Sequence, residues 1–293
     1  MFKALLKTMR PRQWPKNIFL FAALVFDKQL LIIHSLVRTV AGVVLFCLIS
    51  SAVYIFNDIA DIEADREHPE KKNRPIPSGK LPIPIAWTAC ILLVITALTL
   101  GYWLAPDFAI VMAAYFLLNL AYSKWLKHIP ILDVIVLAAC FVLRVGAGVT
   151  IIAVERFSPW LYVVMTLLAL YLGFGKRRAE IALLSEDAGA HRKVLDGYTI
   201  PLLDQYIMIV SGTTIVAYSL YTFSAPNVPA NHTMMLTIPF VVYAIFRYLY
   251  LVQVKHAGGE PEEILLSDRP LQISLLLWAL VVLAVFYLSM EKL

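Results

Sequence analysis

The stretch LFCLISSAVYIFNDIADIEAD, residues 45–65, joins a long apolar run to an acidic segment. The acidic segment holds Asn57, Asp58, Asp61 and Asp65. At about 3.6 residues per turn, these four side chains lie near one face of a helix. Three carboxylates on one face repel one another, so they need a divalent cation or a cationic partner. Such a cluster at the end of a membrane helix predicts a Mg²⁺ site for a diphosphate.

A simpler interpretation of this segment is also open. The acids would then end the helix in solvent, with Arg66 and Lys71 as neutralising neighbours. Both interpretations place charged residues directly after an apolar helix, and they differ in whether a ligand joins the acids.

The chain is far more apolar than a soluble domain. Of its 293 residues, 60% are hydrophobic and 15% are charged, whereas soluble chains are about 45–50% apolar and about 25% charged. Cys47, Cys90 and Cys140 all lie in apolar runs, so the cysteines form no disulfide framework or metal-binding spacing. We predict an all-α polytopic membrane protein with nine transmembrane helices, the first interrupted by Asp27 and Lys28, at 17–33, 36–57, 83–104, 107–124, 130–153, 158–175, 205–224, 234–254 and 270–290.

Basic residues give the predicted orientation. Lys3, Lys7 and Arg10 lie on one face of a short amphipathic helix that we expect to rest on the membrane surface. If this N-terminus is cytoplasmic, 19 of the 25 Lys and Arg residues fall in inner segments and 4 in outer ones. This distribution follows the positive-inside rule. The net charge of +5 is therefore explained by membrane topology, and no nucleic-acid partner is expected.

Two long inner loops, 58–82 and 176–204, carry much of the charge of a single predicted domain, 1–293. In the first loop, basic residues could hold phosphate oxygens beside the acids, or could reflect the positive-inside bias alone: Lys71, Lys72, Arg74 and Lys80. The second loop begins Lys-Arg-Arg-Ala-Glu, and one helical face of it can carry ligand-binding side chains. The candidates there are Lys176, Arg177 and Glu180, with Arg192 and Tyr198 further along.

A third inner segment closes the fourth predicted span. Tyr122, Lys124 and Lys127 lie there, near the expected headgroup plane. The two lysines would pair with a lipid phosphate or extend to the interface without a ligand. Both interpretations place them at the membrane surface.

Two arginines fall inside predicted spans. Burying Arg144 or Arg247 in a bilayer costs at least ~2.5 kcal/mol, so each is expected to face a partner or a polar cavity. Asp133 precedes Arg144 by about three helical turns and would lie on the same side, roughly 16 Å away. Arg247 lies nearer the inner surface, within reach of a lipid phosphate.

The pattern N-D-x-x-D-x-x-x-D at 57–65, on the second of nine helices, resembles the first aspartate motif of the UbiA-type membrane transferases. That resemblance implies an all-helical bundle around a central cavity open to the cytoplasmic side and to lipid. The family's usual second motif is another D-x-x-x-D, whereas this chain has Lys-Arg-Arg-Ala-Glu at 176–180. With R-P-R-Q-W-x-K-N at 10–17 and G-E-P-E at 259–262, the departure is similar to the decaprenyl-phosphate phosphoribosyltransferase branch.

The resemblance implies Mg²⁺-dependent transfer of 5-phosphoribose from phosphoribosyl diphosphate to a polyprenyl (decaprenyl) phosphate in the inner (plasma) membrane. The implied metal ligands are Asp58, Asp61 and Asp65. The implied catalytic residues are Asp58, Asp61, Lys176 and Glu180. Together with the basic and polar residues selected above by charge and position, the candidate substrate-binding residues are Asn57, Lys16, Lys71, Arg74, Tyr122, Lys124, Arg144, Arg177 and Arg247. A homo-oligomer is compatible with this reading.

Two other functions remain open at this point. A UbiA-type prenyltransferase would join a polyprenyl diphosphate to an aromatic acceptor such as a quinone precursor. The basic second motif argues against it, because phosphoribosyl diphosphate and a lipid phosphate bring more phosphoryl groups and demand more cations. A membrane transporter would use Arg144 and Arg247 on a substrate path, but it leaves the aspartates unexplained.

Overall fold

The computed structural model describes residues 1–69, 71–152, 154, 158–184, 193–255, 257 and 261–288, and every regular element in that part of the chain is helical. Within these described ranges, eight helices are long and apolar enough to cross a membrane. The α-helices are α1 Phe2–Thr8, α2 Phe21–Phe26, α3 Ile33–Ala60, α4 Ile62–Glu67, α5 Ile83–Leu104, α6 Pro106–Lys124, α7 Leu132–Ile151, α8 Pro159–Leu184, α9 Ile200–Ser224, α10 Ile238–Gln253, α11 Pro261–Ser267 and α12 Arg269–Leu283.

Long apolar runs become helices here because lipid offers the backbone no hydrogen bonds, so each span must satisfy its own N–H and C=O groups. Proline stands in the first turn of α5, α6, α9, α10 and α12, where its missing N–H costs nothing. Large apolar side chains such as Leu92, Ile95 and Trp103 on α5 stay exposed. Contact with lipid explains that surface, and the protein is a multi-pass membrane protein.

The first predicted span, 17–33, is not confirmed, whereas the other eight are. The chain there forms a 3₁₀ helix, Pro11–Leu20, and then the short α2. Pro15 lies inside the 3₁₀ helix and lacks the N–H that a continuous α-helix needs. Lys28 then adopts a positive φ of 58°, which ends the helical path. The segment is helical and partly buried, but no helix in it reaches spanning length.

The helices divide into two compact units. The first unit comprises Met1–Val25, Gln29–Lys127 and Leu143–Val154. In it α3 packs against both α5 and α6, and α1 packs against α3. The second unit comprises Phe26–Lys28, His128–Val142 and Glu155–Leu293. There α8 packs on α9 and α10 packs on α12.

A hydrophobic cluster in the first unit holds the loop between α4 and α5. Ile76 and Leu81 are buried in it beside Ile55 of α3 and Ala86 of α5. Gly79 has a φ of 75°, a left-handed conformation in which a side chain would be strained. The loop therefore has a fixed shape against the end of α3.

Candidate functional site

The aspartate motif lies at a break in the helix. α3 ends at Ala60, Asp61 has φ −100° and ψ 14°, and α4 begins at Ile62. The spacing of backbone hydrogen bonds nevertheless continues: the N–H of Asp61 donates to the carbonyl of Asn57 at 2.9 Å, and that of Asp65 donates to Asp61 at 2.8 Å. The acidic side chains therefore follow one another at helical intervals across a change in direction.

Two of the aspartates share one guanidinium group. Arg74 donates from Nη1 to Asp65 at 2.7 Å and to Asp58 at 3.2 Å. Arg10 also donates to Asp58, at 2.6 Å. Asp58 and Asp65 are buried, so these arginines supply the charge that burial of the two carboxylates requires.

The other two residues of the motif face α6. Lys127, just beyond the end of α6, donates to Asp61 at 2.6 Å, and the hydroxyl of Ser123 donates to the side-chain carbonyl of Asn57. The four side chains of the motif keep their helical spacing, but they have different partners. Asp58 and Asp65 bind arginine, whereas Asn57 and Asp61 bind residues at or just beyond the end of α6.

Local backbone structure brings both arginines to the acids. Arg10 follows α1 in the left-handed region, with φ 53° and ψ 64°, and its guanidinium lies 4.9 Å from the ring centroid of Tyr54. A non-glycine residue in that region costs about 1–3 kcal/mol and persists only where its surroundings hold it. Arg74 stands in the anchored loop, where its carbonyl accepts from the N–H of Ser78 at 3.0 Å. Both cations are thus positioned by folded segments rather than by long flexible arms.

The donor chemistry of the motif fits magnesium, which binds carboxylate and amide oxygens. Asn57, Asp58, Asp61 and Asp65 supply oxygen atoms only. In the described residues, however, no three acidic, histidine or cysteine side chains are grouped closely enough to hold a metal. The aspartates pair instead with Arg10, Arg74 and Lys127. A metal at this motif therefore requires those cations to change partners.

The second motif contains a buried ion-pair network within the second unit. Arg177 donates from Nε to Asp133 at 2.7 Å and from Nη1 to Glu180 at 2.5 Å. Its side chain is 2% exposed and that of Asp133 is 0% exposed. The neighbouring Arg178 points elsewhere and pairs with Asp204 at 2.6 Å. The sequence predicts that one face of this segment carries the ligand-binding side chains. Within the network, Glu180 is 22% exposed, so a ligand can reach it.

Tyr198 completes the network. Its hydroxyl donates to the second carboxylate oxygen of Asp133 at 2.5 Å and accepts from the N–H of Ile131 at 2.5 Å. Burial, together with the hydrogen bond to Asp133, raises the pKa of Tyr198 well above its usual range. The phenol therefore stays protonated and serves as a donor. Ile131 has a φ of 70°, rare for a β-branched residue, so the backbone beside Asp133 is strained.

The two arginines inside the spans both have protein partners. Arg144 donates to Asn17 at 3.1 Å and to the hydroxyl of Tyr115 at 2.8 Å, and it is buried. Asp133 lies about three turns before Arg144 on the continuous helix α7 and pairs with Arg177. Arg247 forms a two-pronged pair with Asp268, at 3.1 and 2.7 Å.

The remaining predicted residues are distributed over both units. Lys16 lies half-buried in the 3₁₀ helix Pro11–Leu20, and Lys71 begins the 3₁₀ turn Lys71–Asn73. Tyr122 and Lys124 end α6, with the Lys124 ammonium 5.8 Å from the ring of Trp125. Lys176 is half-buried on α8. Arg192 and residues 258–260 lie outside the described residues.

Sequence reasoning missed three partners. The sequence predicts Arg10 on a surface helix and in the R-P-R-Q-W segment and Lys127 near the headgroup plane, and it identifies no partner for Asp133. The first two lie 48 and 66 residues from their aspartates, and Asp133 lies 44 residues from Arg177. A pairing at such a separation leaves no periodic signal in one sequence. The R-P-R-Q-W segment was the available pointer to Arg10.

Comparison with known proteins identifies relatives of this chain in sequence and in fold. Residues 18–263 match the UbiA prenyltransferase family. The decaprenyl-phosphate phosphoribosyltransferase of Mycolicibacterium smegmatis is 38% identical over 97% of this chain and 93% of its own length. The protein of the same name from Mycobacterium tuberculosis is 36% identical over 93% and 90%. A UbiA homolog from Archaeoglobus fulgidus, solved bound to DMAPP and Mg²⁺, has the same fold, with a TM-score of 0.73 at 20% identity over 96% of this chain and 98% of that one.

These matches confirm the resemblance predicted from the motifs, including the similarity to decaprenyl-phosphate phosphoribosyltransferases. They extend over nearly the whole chain, so the aspartate motif and the basic second motif both fall within the matched region. The chain belongs to the UbiA prenyltransferase family.

Proposed function

We propose that this protein transfers 5-phosphoribose from phosphoribosyl diphosphate to a polyprenyl (decaprenyl) phosphate, with release of pyrophosphate. Similarity over more than nine-tenths of the chain to enzymes named for this reaction supports the proposal. The structural observation that carries it is the balance between the negative charges of the aspartate motif and the positive charges of its partners. Three aspartates are paired with three cations, Arg10, Arg74 and Lys127.

The matched cluster suits a diphosphate ligand. Arg10 and Arg74 are each about 30% exposed, so phosphate oxygens can reach them from solvent. A bidentate guanidinium binds a phosphate as well as it binds a carboxylate. When these cations turn to the diphosphate, the carboxylates of Asp58, Asp61 and Asp65 are left to hold Mg²⁺. The bound metal would neutralise charge on the leaving group, and the Archaeoglobus fulgidus homolog, solved with Mg²⁺, supports a divalent ion in this fold.

The reaction needs little acid–base chemistry from the protein. The bond between ribose C1 and the diphosphate oxygen breaks, and pyrophosphate keeps the electron pair. A phosphate oxygen of the lipid forms the new bond to C1. Because that oxygen is already anionic, no side chain has to remove a proton. Attack opposite the leaving group would invert C1, which NMR of the product anomer can establish.

Residues of the second motif are assigned to the phosphoribosyl group. Lys176 contacts a phosphate, and Glu180 accepts a hydrogen bond from the ribose. Arg177 is too buried to be a primary ligand, and its role is to hold Glu180. Tyr122, Lys124, Lys16 and Lys71 remain proposed contacts for the two substrates.

We place this chemistry on the cytoplasmic side of the inner membrane, with the N-terminus on the same side. The excess of Lys and Arg in the inner segments supports that orientation. The bundle would then surround a cavity open to the cytoplasm and to lipid, with the segment 17–33 as a ninth membrane-embedded element. The formation of a homo-oligomer by this protein remains a prediction.

Purified protein tests the reaction directly. It is incubated with phosphoribosyl diphosphate labelled in the ribose and with decaprenyl phosphate, and the lipid fraction is analysed by mass spectrometry. The expected product is decaprenyl-phosphoryl-5-phosphoribose, formed only when both substrates are present. Failure to label the lipid, together with prenylation of an aromatic acid by a polyprenyl diphosphate, would replace this function with that of a prenyltransferase.

A further inference from the structure

A cavity of about 460 Å³ lies in the first unit, between α1 and the loop that follows α4. One water occupies about 30 Å³ in the liquid, so the volume is enough for a hydrated polar headgroup. None of the described residues that line it is acidic. The lining residues are Met1, Lys3, Ala4, Lys7, Asn73, Pro75 and Lys80.

Three ammonium groups meet at this cavity. Lys3 and Lys7 are one turn apart on α1, and Lys80 comes from the loop. All three are exposed, and none of them forms a salt bridge with a residue in the part of the chain that the structure describes. Asn73 adds an amide that can donate a hydrogen bond. Three cations and an amide donor around one space favour an anion with several acceptor oxygens, such as a phosphate.

The cavity lies at the level of the membrane surface. Lys80 stands three residues before α5, a spanning helix that begins at Ile83. α1 rests on the hydrophobic cluster of the first unit through Ala4 and Leu5. Phe2 of the same helix, next in sequence to Lys3, is 78% accessible and presents an apolar group at the surface. Paired apolar and basic groups of this kind are typical of a segment that lies in the interface.

We infer that this cavity binds the phosphate of an anionic membrane lipid. The headgroup phosphate lies among Lys3, Lys7 and Lys80, and the acyl chains extend along the apolar surface beside Phe2. Free phosphate shares the charge but lacks the apolar part, so it would leave that surface unused. This site differs from the aspartate cluster, since Asp58, Asp61 and Asp65 accept hydrogen bonds from Arg10, Arg74 and Lys127, none of which lines the cavity.

The residues that line the cavity are close in sequence to Arg10 and Arg74, the two arginine partners of Asp58. Lys7 precedes Arg10 by three residues, and Asn73 and Pro75 flank Arg74. A lipid bound here would therefore stabilise the positions of the two segments that carry Arg10 and Arg74.

The test uses the full-length protein in nanodiscs that contain equal amounts of phosphatidylglycerol and phosphatidylcholine. Native mass spectrometry then counts the lipids that stay bound. Wild-type protein is expected to retain phosphatidylglycerol in preference to phosphatidylcholine. The triple variant Lys3→Gln, Lys7→Gln, Lys80→Gln should retain it at least about tenfold less. Since the three side chains are exposed, the variant is expected to fold, and its melting temperature checks this.

A matched control separates the cavity from general surface charge. Lys72→Gln removes a lysine from the same loop that is exposed and does not line the cavity, so it should retain phosphatidylglycerol as wild type does. Equal retention by wild type and the triple variant, or an equal loss in Lys72→Gln, would overturn the inference. If the triple variant fails to fold, the single variant Lys7→Gln is measured by the same criterion. Displacement of the lipid by millimolar inorganic phosphate would assign the cavity to free phosphate instead.

Discussion

The aspartate cluster of the first unit and the Asp133–Arg177 pair of the second both join carboxylates to guanidinium groups, but their exposure differs. Arg10 and Arg74 are 30% and 31% exposed, whereas Arg177 and Asp133 are almost wholly enclosed. An accessible cation can leave a carboxylate for a phosphate. An enclosed pair cannot exchange partners without leaving a charge buried. The first cluster is therefore suited to binding a ligand, and the second to holding Glu180 in place.

The largest expected effect is the loss of the enclosed pair. Arg177→Met leaves Asp133 buried without its cation, which should destabilise the fold by about 3 to 5 kcal/mol. Thermal unfolding in detergent measures the change. The adjacent Arg178→Gln breaks a more exposed pair with Asp204 and should cost only about 1 kcal/mol or less. Equal effects of the two changes would contradict the distinction between enclosed and accessible pairs.

Loss of a carboxylate from the accessible cluster should act on catalysis instead. Asp58→Asn keeps the shape of the side chain but removes the charge, so transfer of phosphoribose should fall by about 100-fold to 1,000-fold. The product assay measures the rate, and the melting temperature should change little. Glu63→Gln is the control, because Glu63 is an exposed acid on α4 in the same acidic segment. Near-wild-type turnover in Asp58→Asn would remove this residue from the site.

A smaller effect is expected at the other edge of the cluster. Lys127→Gln removes the partner of Asp61 and a proposed phosphate contact, so KM for phosphoribosyl diphosphate should rise about tenfold. Lys127→Arg retains the charge and should recover most of the affinity. A KM that is the same in both variants and in wild type would show that Lys127 only neutralises Asp61.

The smallest effect concerns an ion pair outside both clusters. The hydrogen bond from Arg247 holds the pKa of Asp268 below its usual range. A carboxyl group whose pKa is lower in the folded state contributes stability above its unfolded pKa, and this contribution is lost as the pH falls through the folded pKa. We expect the melting temperature of wild type to fall below about pH 4 more steeply than that of Asp268→Asn. Parallel curves would contradict a coupled pair.

The apolar pattern of the sequence predicted eight of the spans but not the structure of the N-terminal segment 17–33. Eight spans were evident because about 20 apolar residues in a row have few alternatives to a membrane helix. The segment 17–33 was misassigned because a 3₁₀ helix extends into it as far as Leu20 and the positive φ of Lys28 follows the end of α2, neither of which hydropathy reports. Hydropathy alone does not report whether an apolar run is one α-helix or two shorter elements.

The residue types of the site were predictable, and their partners were not. Asn57, Asp58, Asp61 and Asp65 stood out because acids at helical spacing after an apolar run are rare. Which cation each aspartate binds depends on tertiary packing, which the spacing cannot show.

Arginine partners illustrate the same limit. Helical counting put Asp133 and Arg144 on one side of α7, but each residue pairs with a different element, Asp133 with Arg177 and Arg144 with Asn17. Tertiary packing decided those pairs, and only coordinates reveal it.

The central claim is that the cations of the aspartate cluster exchange onto a diphosphate while the aspartates take up magnesium. Equilibrium binding of phosphoribosyl diphosphate to the purified protein, measured over a range of Mg²⁺ concentrations, tests it most directly. We predict that magnesium tightens binding to wild type by about tenfold or more and has little effect on Asp58→Asn. Donor affinity that is the same with magnesium and with a chelator would contradict the claim.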